Sequence, residues 1–226
     1  MNIFEPKVLA KQISEILTNQ ILEGTLKGNQ KLVEANLQNI FKTSKSPIRE
    51  ALIDLEKKGL VIIKPRRGAY VKEVTLKDIE EVFPVRGILE GLAAREAYKR
   101  INENGVLKME SIFKSMEKAI KNNDIKRYRY YHYNFHQIFI DASENNLLIG
   151  FLKRVREHIL WYRFSYKYFQ EDFDATLKIH KKILSVFKTK SSTEEEVESL
   201  VRSHIKDGYF KFLEYLKNQK DANKEN

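Results

Sequence analysis

The chain has 226 residues, with 41 Lys/Arg against 31 Asp/Glu and no cysteine. That length allows one large domain or two modest ones with real cores, and the lack of cysteine excludes disulfides and thiolate metal sites and suits a reducing compartment. No apolar run approaches the roughly 18 residues of a membrane span, and Glu5 and Lys11 break the stretch a signal peptide would keep apolar, so the expected location is the cytoplasm. The net charge of +10 points to a polyanionic partner, and residues 1–74 hold 13 Lys/Arg against 8 Asp/Glu, half of that net charge in about a third of the chain.

Val8, Leu9, Ile13, Ile16, Leu17 and Ile21 recur at steps of three and four and are followed by Gly24, which predicts an amphipathic helix with a C-cap. TLKGNQKL reads as a loop. Leu37, Ile40 and Phe41 mark a short second helix, TSKS a turn, and residues 46–58 a third helix, with Ser44 or Ser46 as cap, Pro47 in the first turn and Gly59 as its end. The period then changes from 3.6 to two: LVIIK, the turn PRRG and the alternating AYVKEV predict a hairpin. Three helices and a hairpin, with a tight turn between helices two and three, make a winged helix-turn-helix.

From Thr75 onward strand signals stop. Helices are expected near 76–101, 107–121, 124–142, 146–168, 171–188 and 194–217, with Thr75 and Asp78 opening the first and a Thr193/Glu196 capping box opening the last. Pro84 should kink or restart the first of these. The predicted organisation is a DNA-binding domain over 1–74 and an all-α helical-bundle domain over 75–220, with a polar tail. The fold class is mainly α.

In a winged helix-turn-helix the N-terminal end of the third helix enters the major groove. Here it reads Ser44-Lys45-Ser46-Pro47-Ile48-Arg49-Glu50. Lys45 and Arg49 are four apart and so share a face. Ser44, Ser46 and the helix N-terminus suit phosphate, and Arg66, Arg67 and Gly68 form a cationic wing tip.

The sequence ILEGTLKGNQKLVEANL, TSKSPIREALIDLEKKGLV and PRRGAYV resembles the signature of GntR-type bacterial transcription regulators. The family's recognition helix typically reads S-R-T-P-V-R-E-A-L; this chain has Lys45 and Ser46 at its second and third positions and retains Ser44, Pro47, Arg49, Glu50, Ala51 and Leu52. Lysine cannot reproduce the bidentate guanine contact of arginine, so a different operator preference is expected. The helical remainder resembles the FadR-like (FCD) effector domain, with VRGILEGLAAREA and FHQIFIDASENNLL as its hallmarks.

His132 and His136 lie on the apolar stripe of their helix, and His180 and His204 occupy inward positions of two later helices. Each alone reads as a core histidine. Four buried together form a costly polar cluster unless they hold an ion, which helical bundles do with inward side chains on facing helices. The resemblance adds that metal-binding members of the subfamily carry Asp-x-x-x-His on one helix and single histidines on two later ones. His136, His180 and His204 match, while His132 stands where the Asp would be. Four neutral imidazoles leave a divalent ion both its charges, which favours Zn²⁺, Ni²⁺ or Cu²⁺ over Mn²⁺ and an anionic extra ligand; alternatively His132 does not coordinate and the site has three histidines. Arg86 matches a family pocket arginine suited to a ligand carboxylate, with an ion pair to Glu90 as its other reading. Asn145 reads as a helix boundary and His158 as structural.

The expected function is therefore a homodimeric DNA-binding regulator, a repressor by default, that binds a two-part double-stranded operator and responds to a small anionic metabolite at a metal site, with no membrane association. A metal-dependent helical-bundle enzyme is the alternative, although HExxH and a nucleophile elbow are missing from the sequence. An effector domain that binds its ligand without metal is another. KRYRYYHYNFH and LKRVREHILWYRFSYKYF also interleave cations with aromatics as single-strand binders do, a pattern that packing explains more simply.

Overall fold

The computed structural model describes residues 6–22, 24–73, 75–165 and 172–222, with side chains described except at 6, 7, 22, 157–165, 215, 216 and 218–222. His158 and most of the second cation-aromatic stretch therefore fall outside the described side chains. The chain divides into two compact units, Met1–Asp78 with Arg156–Phe169, and Ile79–Val155 with Gln170–Asn226. The fold class is as expected: mainly α, with a small sheet in the N-terminal part and helices thereafter.

The first unit contains α1 (Pro6–Leu22), α2 (Glu34–Phe41) and α3 (Lys45–Lys57). Helix α1 packs on α3, and each contributes an apolar face: Ile13, Leu17 and Ile21 from one, Ile48, Ala51, Leu52 and Leu55 from the other, all at most 2% exposed. Full burial of the leucine and isoleucine side chains stabilises by about 1.5–3 kcal/mol each. Beside that seam, Ser14 Oγ donates to Asp54 Oδ2 at 2.5 Å, and Lys58 pairs with the same carboxylate at 2.7 Å. Helix α3 ends in a Schellman motif: Gly59 has φ +71°, its N–H bonds to Glu56 O, and Leu60 N–H bonds to Leu55 O.

β2 (Val61–Lys64) and β3 (Gly68–Val71) form the predicted hairpin, pairing Val61 with Val71 and Lys64 with Gly68. A third strand, β1 (Lys31–Leu32), adds to β3, with Leu32 opposite Ala69. The sequence pattern reads these two residues as part of a loop. Two residues carry no detectable period, and the strand exists because the outer edge of β3 is there to pair with.

The second unit draws on α4 (Leu76–Arg100), α5 (Glu103–Lys121), α6 (Ile125–Ala142), α7 (Asn146–Ser165), α8 (Phe173–Thr189) and α9 (Glu194–Ala222). Side-chain caps set the starts. Thr75 and Asp78 exchange bonds before α4, and Thr193 and Glu196 do the same before α9. Asn102, Asp124, Asn145 and Asp172 accept from the backbone N–H three residues on, at the starts of α5, α6, α7 and α8. The Asn102 cap explains why α5 begins four residues earlier than expected.

Helix α4 runs through Pro84 as one helix, so of the expected kink or restart the restart does not occur. One proline removes one intrahelical bond, and the helix is held on both sides by buried residues, Ile79 and Phe83 before it and on its line, Arg86 and Glu90 after it. The core of this unit joins Ala93, Ala94 and Ala97 of α4, Met109, Phe113 and Met116 of α5, Phe135 and Phe139 of α6, and Ile183 and Phe187 of α8. The Phe139 and Phe187 rings stack with centroids 6.0 Å apart. Because the apolar stripe of α6 that supplies Phe135 and Phe139 also carries His132 and His136, packing this core places both imidazoles inside it.

Candidate functional site

Two clusters correspond to the residues singled out from the sequence. The first lies at the start of α3. Ser44 has the extended backbone of an N-cap (φ −77°, ψ 174°) but makes no side-chain cap bond, so its hydroxyl is not committed to the helix. Ser46 Oγ donates to Glu50 at 3.2 Å. Lys45 and Arg49 are exposed on one face, and both converge on Glu34 in the first turn of α2. Arg49 Nε lies 3.0 and 3.2 Å from the two Glu34 oxygens, and Lys45 Nζ lies 3.5 Å from one of them. Among the described residues the Arg49 guanidinium has no other hydrogen-bond partner, so its Nη end is open to an external acceptor. Glu34 was not a sequence candidate. A single carboxylate eleven residues before Lys45 has no helical spacing to betray the contact, which the α2–α3 packing creates.

At the wing, Arg67 N–H closes the turn on Lys64 O at 3.0 Å, Arg66 and Gly68 have positive φ (+58° and +98°), and Arg66, Arg67 and Gly68 are all exposed. The left-handed backbone at position 68 suits glycine. Lys31 and Lys64 flank the Tyr70 ring at 5.8 and 4.9 Å, so the wing carries two cations beyond the expected pair of arginines.

The second cluster is interior. His132 and His136 from α6, His180 from α8 and His204 from α9 place one donor nitrogen each within 4.8 Å of all the others. His136 and His180 are fully buried, His132 is 4% exposed and His204 is half-buried. The His132 ring centroid lies 4.6 Å from that of His180 and 5.1 Å from that of His136. Tyr128 is buried beside His132, whereas Tyr130, on the same helix, is 64% exposed. The tyrosines of α6 thus do not form one stacking surface.

Hydrogen bonds define the tautomers of two of these rings. His180 Nδ1 lies 2.7 Å from Thr176 O; a carbonyl only accepts, so this nitrogen carries the proton. His136 Nδ1 lies 2.7 Å from Glu90 Oε2, and Glu90 receives Arg86 Nε on its other oxygen, also at 2.7 Å. An arginine-paired carboxylate is an acceptor, so His136 Nδ1 is likewise the protonated nitrogen. The two Nε2 atoms face each other at 3.0 Å, a hydrogen-bond separation when one of them carries a proton. Two lone pairs at that distance repel unless a proton or a cation lies between them. Two nitrogens that share a tetrahedral ion at bond lengths of about 2.1 Å lie roughly 3.4 Å apart, so a small separation of the rings would admit one. The donor set therefore fits a divalent ion of borderline softness.

Burial first, then the repulsion that a charged His204 would meet from the His180 and His136 rings when protonated and from Arg86, hold His204 well below the usual histidine range, and Glu90 offsets this only in part. Arg86 is 6% exposed and Glu90 fully buried, so the ion pair that the sequence offered as one reading of Arg86 is present. Only Nε of Arg86 faces Glu90 in that contact. Asn145, read as a helix boundary, caps α7. Glu90 was read only as a partner of Arg86; its contact with His136, 46 residues away, is decided by the placement of α6 against α4.

Comparison with known proteins joins the two clusters. Residues 9–71 match the bacterial regulatory proteins of the gntR family, and residues 81–207 match the FCD domain. The "Uncharacterized HTH-type transcriptional regulator YdhC" of Bacillus subtilis (strain 168) is 29% identical over 212 residues, 93% of this chain and 92% of that protein. The gluconate operon transcriptional repressor of the same organism is 30% identical over 179 residues, covering 77% and 73% respectively. The solved structure of E. coli McbR/YncC matches with a TM-score of 0.73 over 92% of this chain and 98% of that one, at 18% identity, which shows a shared fold. The family and these relatives are transcription regulators, not enzymes, and among the described residues no helix is long and apolar enough to cross a membrane. The chain belongs to the GntR family of bacterial DNA-binding transcription regulators, with an FCD effector domain after its helix-turn-helix.

Proposed function

We propose that the protein is a metal-dependent, ligand-responsive repressor. Its DNA-binding domain, residues 1–74, reads one half of a two-part operator with Ser44, Lys45, Ser46 and Arg49, while Arg66, Arg67 and Gly68 hold the adjacent backbone. A homodimer presents two such domains. The helical domain, residues 75–220, holds a divalent ion, Zn²⁺ by preference and Ni²⁺ or Cu²⁺ as competitors, on His136, His180, His204 and His132. When bound, the ion supplies a Lewis-acid centre that attracts a small carboxylate effector, and Arg86 pairs with that carboxylate through its Nη end. The relative named as a gluconate operon repressor supports the sign of regulation.

The observation that carries the metal reading is the group of four histidines from three helices, each placing one donor nitrogen within 4.8 Å of all the others. It favours a bound cation over a packed, metal-free histidine core. Elemental analysis of protein purified without chelator is expected to give one Zn²⁺, Ni²⁺ or Cu²⁺ per chain. No stoichiometric metal, and no gain in thermal stability on adding Zn²⁺, would reject it. The DNA reading is tested by titrating the protein with its own upstream region and with random duplex at one salt concentration; equal affinity for both rejects operator recognition.

A further inference from the structure

The carboxylate of Glu90 is completely buried, and both its oxygens are engaged: Oε1 by Arg86 Nε at 2.7 Å and Oε2 by His136 Nδ1 at 2.7 Å. A buried carboxylate is costly unless paired and hydrogen-bonded, so Arg86 alone would justify its charge. The second oxygen does something Arg86 does not require. It fixes the orientation of the His136 ring and places a proton on Nδ1, and thereby turns Nε2 toward His180. Glu90 is not placed as a fifth ligand, because its oxygens point to the outer nitrogen of His136 and to the guanidinium.

We propose that Glu90 is a positioning residue for metal binding. It locks His136 in the Nδ1–H tautomer and makes its Nε2 a stronger donor, while Arg86 serves as the counter-charge that keeps Glu90 ionised at no exposure to water. This rests on the metal reading above and assigns within it a residue that supports the site without touching the ion. His180 is oriented differently, by the Thr176 backbone carbonyl, which no side-chain substitution removes. The two rings therefore differ in kind: His136 is tuned by a charge and His180 by a fixed dipole. Outer partners of this sort typically change metal affinity by about 10–100-fold.

The test compares Zn²⁺ affinity, measured by chelator competition on the full chain, in the wild type, in Glu90→Gln, and in the double variant Arg86→Gln/Glu90→Gln. The double variant removes one charge of each sign, so the net charge of the site is unchanged and no buried arginine is left unpaired. Both variants are expected to bind Zn²⁺ about 10–100-fold more weakly than the wild type. Nitrogen NMR of the His136 ring is expected to show a single Nδ1–H tautomer in the wild type and a mixture in Glu90→Gln. A double variant that binds Zn²⁺ within about threefold of the wild type overturns the proposal and leaves Glu90 as a counter-ion for Arg86. A wild-type His136 protonated at Nε2 in the metal-free protein overturns it as well. Wild-type protein that takes up no Zn²⁺ overturns the metal reading itself, and this proposal falls with it.

Discussion

The recognition end of α3 and the histidine cluster inside the helical bundle are built on opposite physical terms. Lys45 and Arg49 are more than half exposed and share one partly exposed carboxylate, Glu34. Pairs of that kind are worth little in water, about 0–1 kcal/mol each, so they can be given up when a phosphate or base edge arrives. His136, His180, Glu90 and Arg86 lie in the interior with bonds of 2.7–3.0 Å, where breaking one contact leaves a buried polar group unsatisfied. A surface that must exchange partners is held loosely, and a site that must select one ion is held tightly.

Substitutions can break this contrast at either end. The largest effect is expected in the bundle core: Phe139→Ala removes a fully buried ring stacked on Phe187 and should cost about 3–5 kcal/mol in denaturant unfolding. Next, His180→Ala should weaken Zn²⁺ binding by more than roughly 100-fold, beyond the range for outer-shell changes, while DNA affinity of the metal-free protein stays at its metal-free wild-type value. Retention of full Zn²⁺ affinity would remove His180 from the site. Arg49→Ala is the mirror experiment. Operator binding is expected to fall by about 1–3 kcal/mol with Zn²⁺ uptake unchanged.

Smaller effects sharpen the comparison. Glu34→Gln frees Lys45 and Arg49, and should raise affinity for random duplex by under about 1 kcal/mol while the operator gains less, because Arg49 loses its fixed orientation. Equal gains on both duplexes would mean that Glu34 merely competes with phosphate. The smallest effect concerns Asp54. Burial pushes its pKa up, but hydrogen bonds from Lys58 and Ser14 and the charges of Lys58 and Lys57 outweigh this, so the folded value lies below 3.8. The stabilisation is therefore present above the unfolded pKa of about 3.9 and is lost as pH falls through the lower folded value. Asp54→Asn should lower stability slightly at neutral pH, with the difference from wild type vanishing in strong acid.

Much of this was legible before any coordinates. Helix faces, the hairpin and the caps at Thr75 and Thr193 depend on residues within a few positions of one another, and such local chemistry is written directly in the spacing. The same holds for His132 and His136 on one stripe, and for Lys45 and Arg49 on one face. The strand Lys31–Leu32 was missed because a two-residue strand has no period of its own and is induced by the edge of β3. At Pro84 the sequence leaves a kink or a restart open, and the helix does not restart because flanking burial outweighs one lost hydrogen bond.

By itself, then, the sequence determined which residue types face inward and where each helix starts, since propensity, capping and periodicity act over one or two turns. Tertiary structure alone decided which of those faces meet. It brought α4 to α6 so that Glu90 bonds His136, α6 to α8 and α9 so that four imidazoles share one small volume, and α2 to α3 so that Glu34 gathers two cations. Contacts between residues 11 to 72 positions apart carry no local signature, because they come from how amphipathic surfaces pack and not from what any one of them contains.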